Sequence, residues 1–457
     1  MHLPILLLAC YELGHQPLSL AWPQAVLREA GVAVVSADLS VVALPRETAV
    51  SAPFVGIAVP MHTALRLGVQ VARRVRRLNP SAHICFYGMY AWLNRDYLLD
   101  GLADSVIAGE YERPLLDLVQ DVLAGGQGTA VSGITTAASQ NPPNLERLNL
   151  PTPDRSGLPA LNQYARYEAD GDMVLAGYVE ASRGCLHTCQ HCPVVPVYNG
   201  RFFIIPHETV MADIRQQAAA GAKHITFGDP DFLNGPGHAL KITQALHAEF
   251  PQLTFDFTTK VEHILKHRDL FPTFKEYGAT FVISAFEATN ETILARLNKG
   301  HTVAEMETAV AILKEAGLAV QPTWMPFTPW TSLEDYLNLL AWIRTQDLIP
   351  NVPIVQLCIR MLVPPESALL NHPDVLAWRG PLSAENFTYQ WQHPDPCMDE
   401  LQQQVAALAE SAGNNHYANF AAVEKAAYRL MDAPMPHWLP PTIYEPPPPR
   451  LTEDWFC

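Results

Sequence analysis

Two series of short apolar runs, each followed by a helical pattern, occupy most of this chain and leave few folds open to it. In the first series, Ile5–Ala9, Val32–Ser36, Phe54–Val59, His83–Tyr87 and Ser105–Ala108 read as strands. Leu18–Ala30, Thr63–Leu78 and Pro114–Leu123 read as the helices between them. Continuous apolar strands separated by helices imply a parallel sheet covered on both faces. Residues 1–124 are therefore predicted to form a doubly wound α/β domain, Rossmann-like or flavodoxin-like. Residues 125–172 are predicted to be a linker, because 125–159 is rich in Gly, Ser, Thr, Asn and Pro and has no sustained period.

The second series has predicted strands at Met173–Glu180, His224–Gly228, Thr254–Thr258, Thr280–Ala285, Ala319–Met325 and Ile354–Leu362. Helices fit at His207–Ala220, Gly237–Phe250, Val261–Tyr277, Val303–Ala316 and Ser332–Gln346. Strand and helix units in this number suit a partial (β/α)6 TIM-type barrel over residues 173–380, with functional groups at the C-terminal ends of its strands. A helical C-terminal region follows over 381–433, from Met398–Ala412 and Ala418–Met431. Residues 434–457 form a proline-rich tail that cannot be helical and that ends on the thiol of Cys457.

Charge and composition narrow the function. A formal charge of −16 disfavours non-specific nucleic-acid binding. The basic group Arg73, Arg74, Arg76 and Arg77 falls on an amphipathic helix and reads as a solvated face. No apolar run approaches the ~18 residues of a membrane span, and Met1–Ala9 reads as a first buried strand rather than a leader. Eight cysteines in 457 residues are too few for a disulfide framework. Three are crowded into one loop, a pattern expected of a cytoplasmic protein with a single metal site.

That loop is Arg183-Gly184-Cys185-Leu186-His187-Thr188-Cys189-Gln190-His191-Cys192-Pro193, just after the first predicted barrel strand. Three thiolates spaced C-x3-C-x2-C can take three corners of an iron–sulfur cube and leave the fourth iron open. Gly184 permits a tight turn, and Pro193 stops the loop from running into helix. Zinc is the competing reading, with His187 or His191 completing a Cys3His set.

The motif and its setting resemble the radical S-adenosylmethionine (SAM) superfamily, whose third cysteine usually follows an aromatic residue. His191 stands at that place here. The resemblance implies a 4Fe–4S cluster on Cys185, Cys189 and Cys192 that cleaves SAM to a 5′-deoxyadenosyl radical. It also implies an electron donor such as flavodoxin or ferredoxin and a substrate it does not name. Carried over position by position, His191 would lie by the adenine. Gly228, Asp229 and Asp231 would meet the SAM ammonium, unless the acidic pair only caps a turn. Ser284 or Glu287 would bond the ribose, and Arg360 would face SAM or substrate, each with an ordinary structural role as its alternative. Gln321 and Trp324–Pro326 are expected to line the barrel.

The N-terminal domain resembles that of cobalamin-binding radical SAM enzymes, although Asp38, His15, His62 and His83 do not form the Asp-x-His-x-x-Gly ligand signature. Cobalamin-dependent methyl transfer is thus the alternative function. Methylthio transfer fits less well, because only Cys10 and Cys85 are available there for a second cluster. The ending Leu451–Cys457 resembles the CUAEP/CCAEP-tail radical SAM (seleno)proteins, which continue with cysteine or selenocysteine and Ala-Glu-Pro. It implies a catalytic terminal thiol at Cys457, with selenocysteine encoded next.

Overall fold

A computed structural model describes residues 3–440 and 447–453. Six strands make the N-terminal sheet: β1 (Ile5–Ala9), β2 (Val34–Asp38), β3 (Phe54–Ala58), β4 (His83–Tyr87), β5 (Ser105–Ile107) and β6 (Ile134–Thr135). Their order is β2-β1-β3-β4-β5-β6, with all pairs parallel except β5–β6. Leu6, Leu8, Val55 and Ile57 face one helix layer, while Ile5, Leu7, Phe54 and Ala58 face the other. The alternation within each fully apolar strand is what fills both faces of the sheet. The linker is ordered rather than loose: its β6 lengthens this sheet, and Asn144 bridges to Gly109.

The second sheet is a curled half-barrel. It uses β7 (Arg166–Ala169), β8 (Asp172–Val179), β11 (His224–Phe227), β12 (Thr254–Thr258), β13 (Ala279–Glu287) and β14 (Ala319–Trp324). A small hairpin, β9 (Ser182–Gly184) with β10 (Phe202–Ile204), stands beside it. A further hairpin, β15 (Arg379–Ser383) with β16 (Thr388–Trp391), lies beyond the barrel. The order β14-β13-β12-β11-β8-β7 is completed by a tail strand, β17 (Arg450–Leu451). Outward residues Ile225, Phe227, Phe255, Phe257, Val282 and Phe286 pack on the helices. The inward residues Tyr167, Ala176, Phe281 and Ile283 form a small core of their own with Leu451.

Two expectations need correction, and the expected first barrel strand gains an antiparallel partner. The sixth strand is not formed: Ile354–Cys358 is a 3-10 turn, and only Arg360 bridges to Phe327. The Gln356 side chain accepts from Trp324 N at 2.9 Å, so a side chain takes the place of a ladder bond at the end of β14. The helix expected over Val261–Tyr277 is broken into Val261–Lys266, a 3-10 turn and Phe271–Glu276, with Pro272 starting the last piece. The first barrel strand is half of a hairpin, because Asp170 (φ 54°) and Gly171 (φ 85°) make the left-handed pair that a two-residue turn requires.

The tail touches both edges of the barrel sheet. Gln321 on β14 donates to Pro449 O at 2.7 Å, while Arg450 and Leu451 pair with Glu168 and Tyr167 on β7. Beyond Leu451, Tyr11 of the N-terminal domain donates to Glu453 at 2.5 Å. Cys457 lies outside the described residues. Among the described residues no helix is long and apolar enough to cross a membrane.

Candidate active site

The three-cysteine loop is the connection of the β9–β10 hairpin. Gly184, at φ 74°, pairs with Phe202, and Cys185 N donates to Arg201 O at 3.0 Å, which closes the base of the loop. Any side chain at Gly184 would collide with the Arg201 carbonyl and with Tyr198 Cδ1. The far side is tied down by the Leu297–Lys299 turn. Gln190 N donates to Leu297 O at 2.9 Å, and the Asn298 amide donates to Thr188 O at 3.1 Å. Val194, Val197 and Tyr198 then seat the loop against Met89, Trp92 and Ala108 of the N-terminal domain.

Burial raises the Cys185 thiol and pushes Cys192 up to about 12, with the Lys299 ammonium opposing the shift at Cys192. A bound cation would overcome that and turn Cys185 and Cys192 into thiolate ligands. The donor set fits a cluster with one open corner. His191 Nε2 lies 3.2 Å from Glu287, and His187 Nε2 lies 3.5 Å from Asp231, so each imidazole faces a carboxylate on another element. Cys10 and Cys85 are buried in the N-terminal core, while Cys358 and Cys397 pack in the barrel's helical core.

Arg183 anchors the motif from behind. Its guanidinium is 2.7 Å from Glu112 and 3.4 Å from Glu110, both of the N-terminal domain, and 3.1 Å from Glu180. The Trp22 and Tyr111 rings flank it at 5.5 Å. Desolvation in this cluster pushes Glu112 up to about 7 even with Arg183 beside it.

The strand ends deliver the other expected residues unevenly. Asp229 is fully engaged, accepting from Ala181 N at 3.0 Å and from the Ser182 hydroxyl. Asp231 turns Oδ1 to Leu233 N and Thr259 Oγ1, leaving Oδ2 toward His187 and His263. Gly228 sits where a Cβ would strike the Tyr178 ring. Glu287, at φ 69°, holds Lys299 at 3.2 Å as well as His191. Lys299 and His191 hold its carboxyl down to about 2 against the effect of burial.

Ser284 and Arg360 stand elsewhere. Alternation places Ser284 with Val282 and Phe286 on the helix-facing side of β13. Arg360 is committed to Asp399 at 2.6 Å, to Trp391 O at 2.6 Å and to the Trp391 ring at 3.5 Å. Lys260, His263 and His301 were not singled out from the sequence. They follow the ends of β12 and β13 in the chain, and that position was the available signal.

The first strand-to-helix loop of the N-terminal domain meets the barrel directly. Gly14 O accepts from Ala165 N at 2.8 Å, and His15 stacks on Tyr178 with ring centroids 4.3 Å apart. Burial drives His15 down to about 3, and His62 sits 2.6 Å from Asn386 O.

A half-barrel with a three-cysteine loop after its first strand defines a radical SAM domain, and residues 179–340 match the Radical SAM superfamily. The chain therefore carries a Radical SAM superfamily domain and is an enzyme; proteins of that domain family use a 4Fe–4S cluster and SAM. It is 24% identical over 260 residues to the hopanoid C-3 methylase of Methylococcus capsulatus, a match covering 56% of this chain and 48% of the methylase. The match thus spans about half the length of that relative. Among solved structures it is similar to OxsB, a cobalamin-dependent SAM radical enzyme, with aqua-cobalamin and SAM bound. That match has 14% identity and a TM-score of 0.69, over 94% of this chain and 72% of OxsB. It is also similar to the radical SAM methyltransferase TsrM from Kitasatospora setae, with 14% identity and a TM-score of 0.63, over 98% and 93% of the two chains. The fold is therefore shared across the N-terminal domain as well as the barrel.

Proposed function

We propose that this enzyme binds SAM beside the 185–192 loop and modifies a substrate held in the mouth between barrel and N-terminal domain. When bound, the cluster and SAM supply a one-electron cleavage that yields a 5′-deoxyadenosyl radical. The observation that carries the reading is a pair of buried polar atoms without partners beside the loop: His191 Nδ1 and the ring nitrogen of His301 that does not meet the Phe286 backbone. Interiors seldom leave such atoms unpaired, and a zwitterionic nucleoside ligand would satisfy them. Cys185, Cys189 and Cys192 would hold the cluster, and the Glu287–Lys299 pair would fix His191. A low-potential donor of the flavodoxin or ferredoxin kind would supply the electron. The test is anaerobic reconstitution, reduction and assay for 5′-deoxyadenosine. Product from the wild type and none from Cys185→Ala supports the reading; an intact cluster that binds no SAM sinks it.

Cobalamin-dependent methyl transfer is the second reading, favoured by the way the strand ends of the N-terminal sheet face the cluster loop. His15 and His62 are already engaged, so a corrin would be held there without an imidazole from either. Titration with hydroxocobalamin separates the two readings: stoichiometric binding supports methyl transfer, and no binding leaves the first. The terminal thiol belongs to the same proposal. Cys457 is four residues beyond Glu453, a reach of about 14 Å at most, and Glu453 is bonded to the loop that borders the mouth. Cys457→Ser is expected to keep SAM cleavage and lose product. Unchanged product formation would remove the thiol from the mechanism.

A further inference from the structure

Beside the cysteine loop, three elements bring His187, Asp231 and His263 together. One ligating atom from each lies within 4.8 Å of the others. Asp231 and His263 are buried. Asp231 Oδ1 is fixed by Thr259 Oγ1 at 2.8 Å and Leu233 N at 3.1 Å, which aims Oδ2 at the two imidazoles. His263 Nδ1 stands 2.9 Å from that oxygen and His187 Nε2 3.5 Å from it. Both imidazoles approach Asp231 Oδ2 closely, yet neither contact is a well-aligned hydrogen bond. Three convergent ligating atoms that no well-aligned hydrogen bond satisfies, two of them on buried residues, differ from an ordinary ion pair, which would rotate into hydrogen-bond geometry.

We propose that His187, Asp231 and His263 bind one divalent first-row metal ion, zinc or iron(II), separate from the cluster. Two imidazoles and a carboxylate suit those ions. Ligand atoms around a tetrahedral ion with bonds of about 2.1 Å stand about 3.4 Å apart, close to the separations from Asp231 Oδ2. Thr259 is the outer partner that orients the carboxylate. With three protein ligands the ion keeps an open position, and His187 places it in the same loop as the cluster. The site therefore suits holding a heteroatom of the substrate near the radical chemistry. Asp231 then serves a metal rather than the SAM ammonium, and the proposal does not depend on what the enzyme makes.

The test uses the full chain with its cluster reconstituted, zinc(II) added and excess removed. Metal analysis is expected to give about one zinc per chain beside the cluster iron, and zinc-edge X-ray absorption to show nitrogen and oxygen neighbours without sulfur. His263→Gln and Asp231→Asn should each lower zinc at least fivefold while cluster iron is kept, which also shows that the variants fold. Zinc below about 0.2 per chain in the wild type, sulfur in its coordination shell, or zinc unchanged in both variants overturns the proposal. So does an Asp231→Asn protein that loses SAM affinity while the wild type holds no zinc. Failure of SAM cleavage would leave these readouts untouched.

Discussion

Arg183 lies 2.7 Å from Glu112, so the residue two places before the first motif cysteine is held by a carboxylate of the other domain. Both side chains are buried, with Glu110 and Glu180 also in reach. The three-cysteine loop and the N-terminal sheet are thereby tied by one charge that neither can release to water.

Removing that charge should be costly. Arg183→Met leaves three carboxylates facing one another, and breaking a buried ion pair from one side typically costs about 3–5 kcal/mol. Thermal unfolding should show a loss of that order, and iron retention after reconstitution should fall with it. Glu112→Gln, which leaves Glu110 and Glu180 on the arginine, should cost clearly less.

Gly184→Ala tests the base of the loop. The position has φ 74°, and a Cβ has no room against Arg201 O and Tyr198. The hairpin register must shift to admit it. Cluster iron per chain is expected to fall severalfold while far-UV circular dichroism stays near wild type. Full iron loading would show the loop to be adaptable.

Lys299 puts a positive charge beside Cys189 and Cys192. Lys299→Met should make the cluster harder to reduce, because the extra electron loses a nearby cation in a low-dielectric site. A potentiometric titration should find the midpoint shifted negative.

Docking of the tail is testable through Leu451, buried among Tyr167, Phe281 and Ile283. Leu451→Asp forfeits about 1.5–3 kcal/mol of burial and places a charge in an apolar site. Proteolysis after the barrel domain should accelerate roughly tenfold or more, since about 1.4 kcal/mol is a tenfold change in the population of the open state. Equal cleavage rates would mean that strand β17 does not hold the tail.

Stability should fall as pH rises. Burial pushes Glu12 up to about 8, with Glu180 and Asp38 adding repulsion and Ser19 opposing through a hydrogen bond. Such a group is protonated longer in the folded chain than in the unfolded one. Between its ordinary carboxyl range and about 8 the native state binds more protons, so unfolding free energy declines with rising pH. Glu112, up to about 7, acts in the same direction. Melting at pH 7 should exceed melting at pH 8.5, a range above the one where histidines held low by burial, such as His15, gain stability with rising pH, and Glu12→Gln should narrow the gap. A melting temperature flat over that range would contradict the assignment.

Local pattern was enough for much of this molecule. Apolar runs such as Phe54–Ala58 had to be buried on both sides, which set the doubly wound sheet. The spacing of Cys185, Cys189 and Cys192 marked out the three-cysteine loop, and Gly184 set its turn. These are short-range properties: alternation, spacing and backbone freedom are written within a few residues. The tertiary structure decided what depends on distant partners. Ile354–Leu362 had the look of a strand, yet Gln356 capped β14 with its side chain and the ladder was not extended. Arg360 and Ser284 had suitable chemistry, but Asp399 claimed one and strand alternation turned the other away. Arg183 met Glu112, and Leu451 met Tyr167, only because folding brought together segments far apart in sequence. Which atom a charge or an apolar side chain finally contacts depends on the whole chain's packing, and no local pattern encodes it.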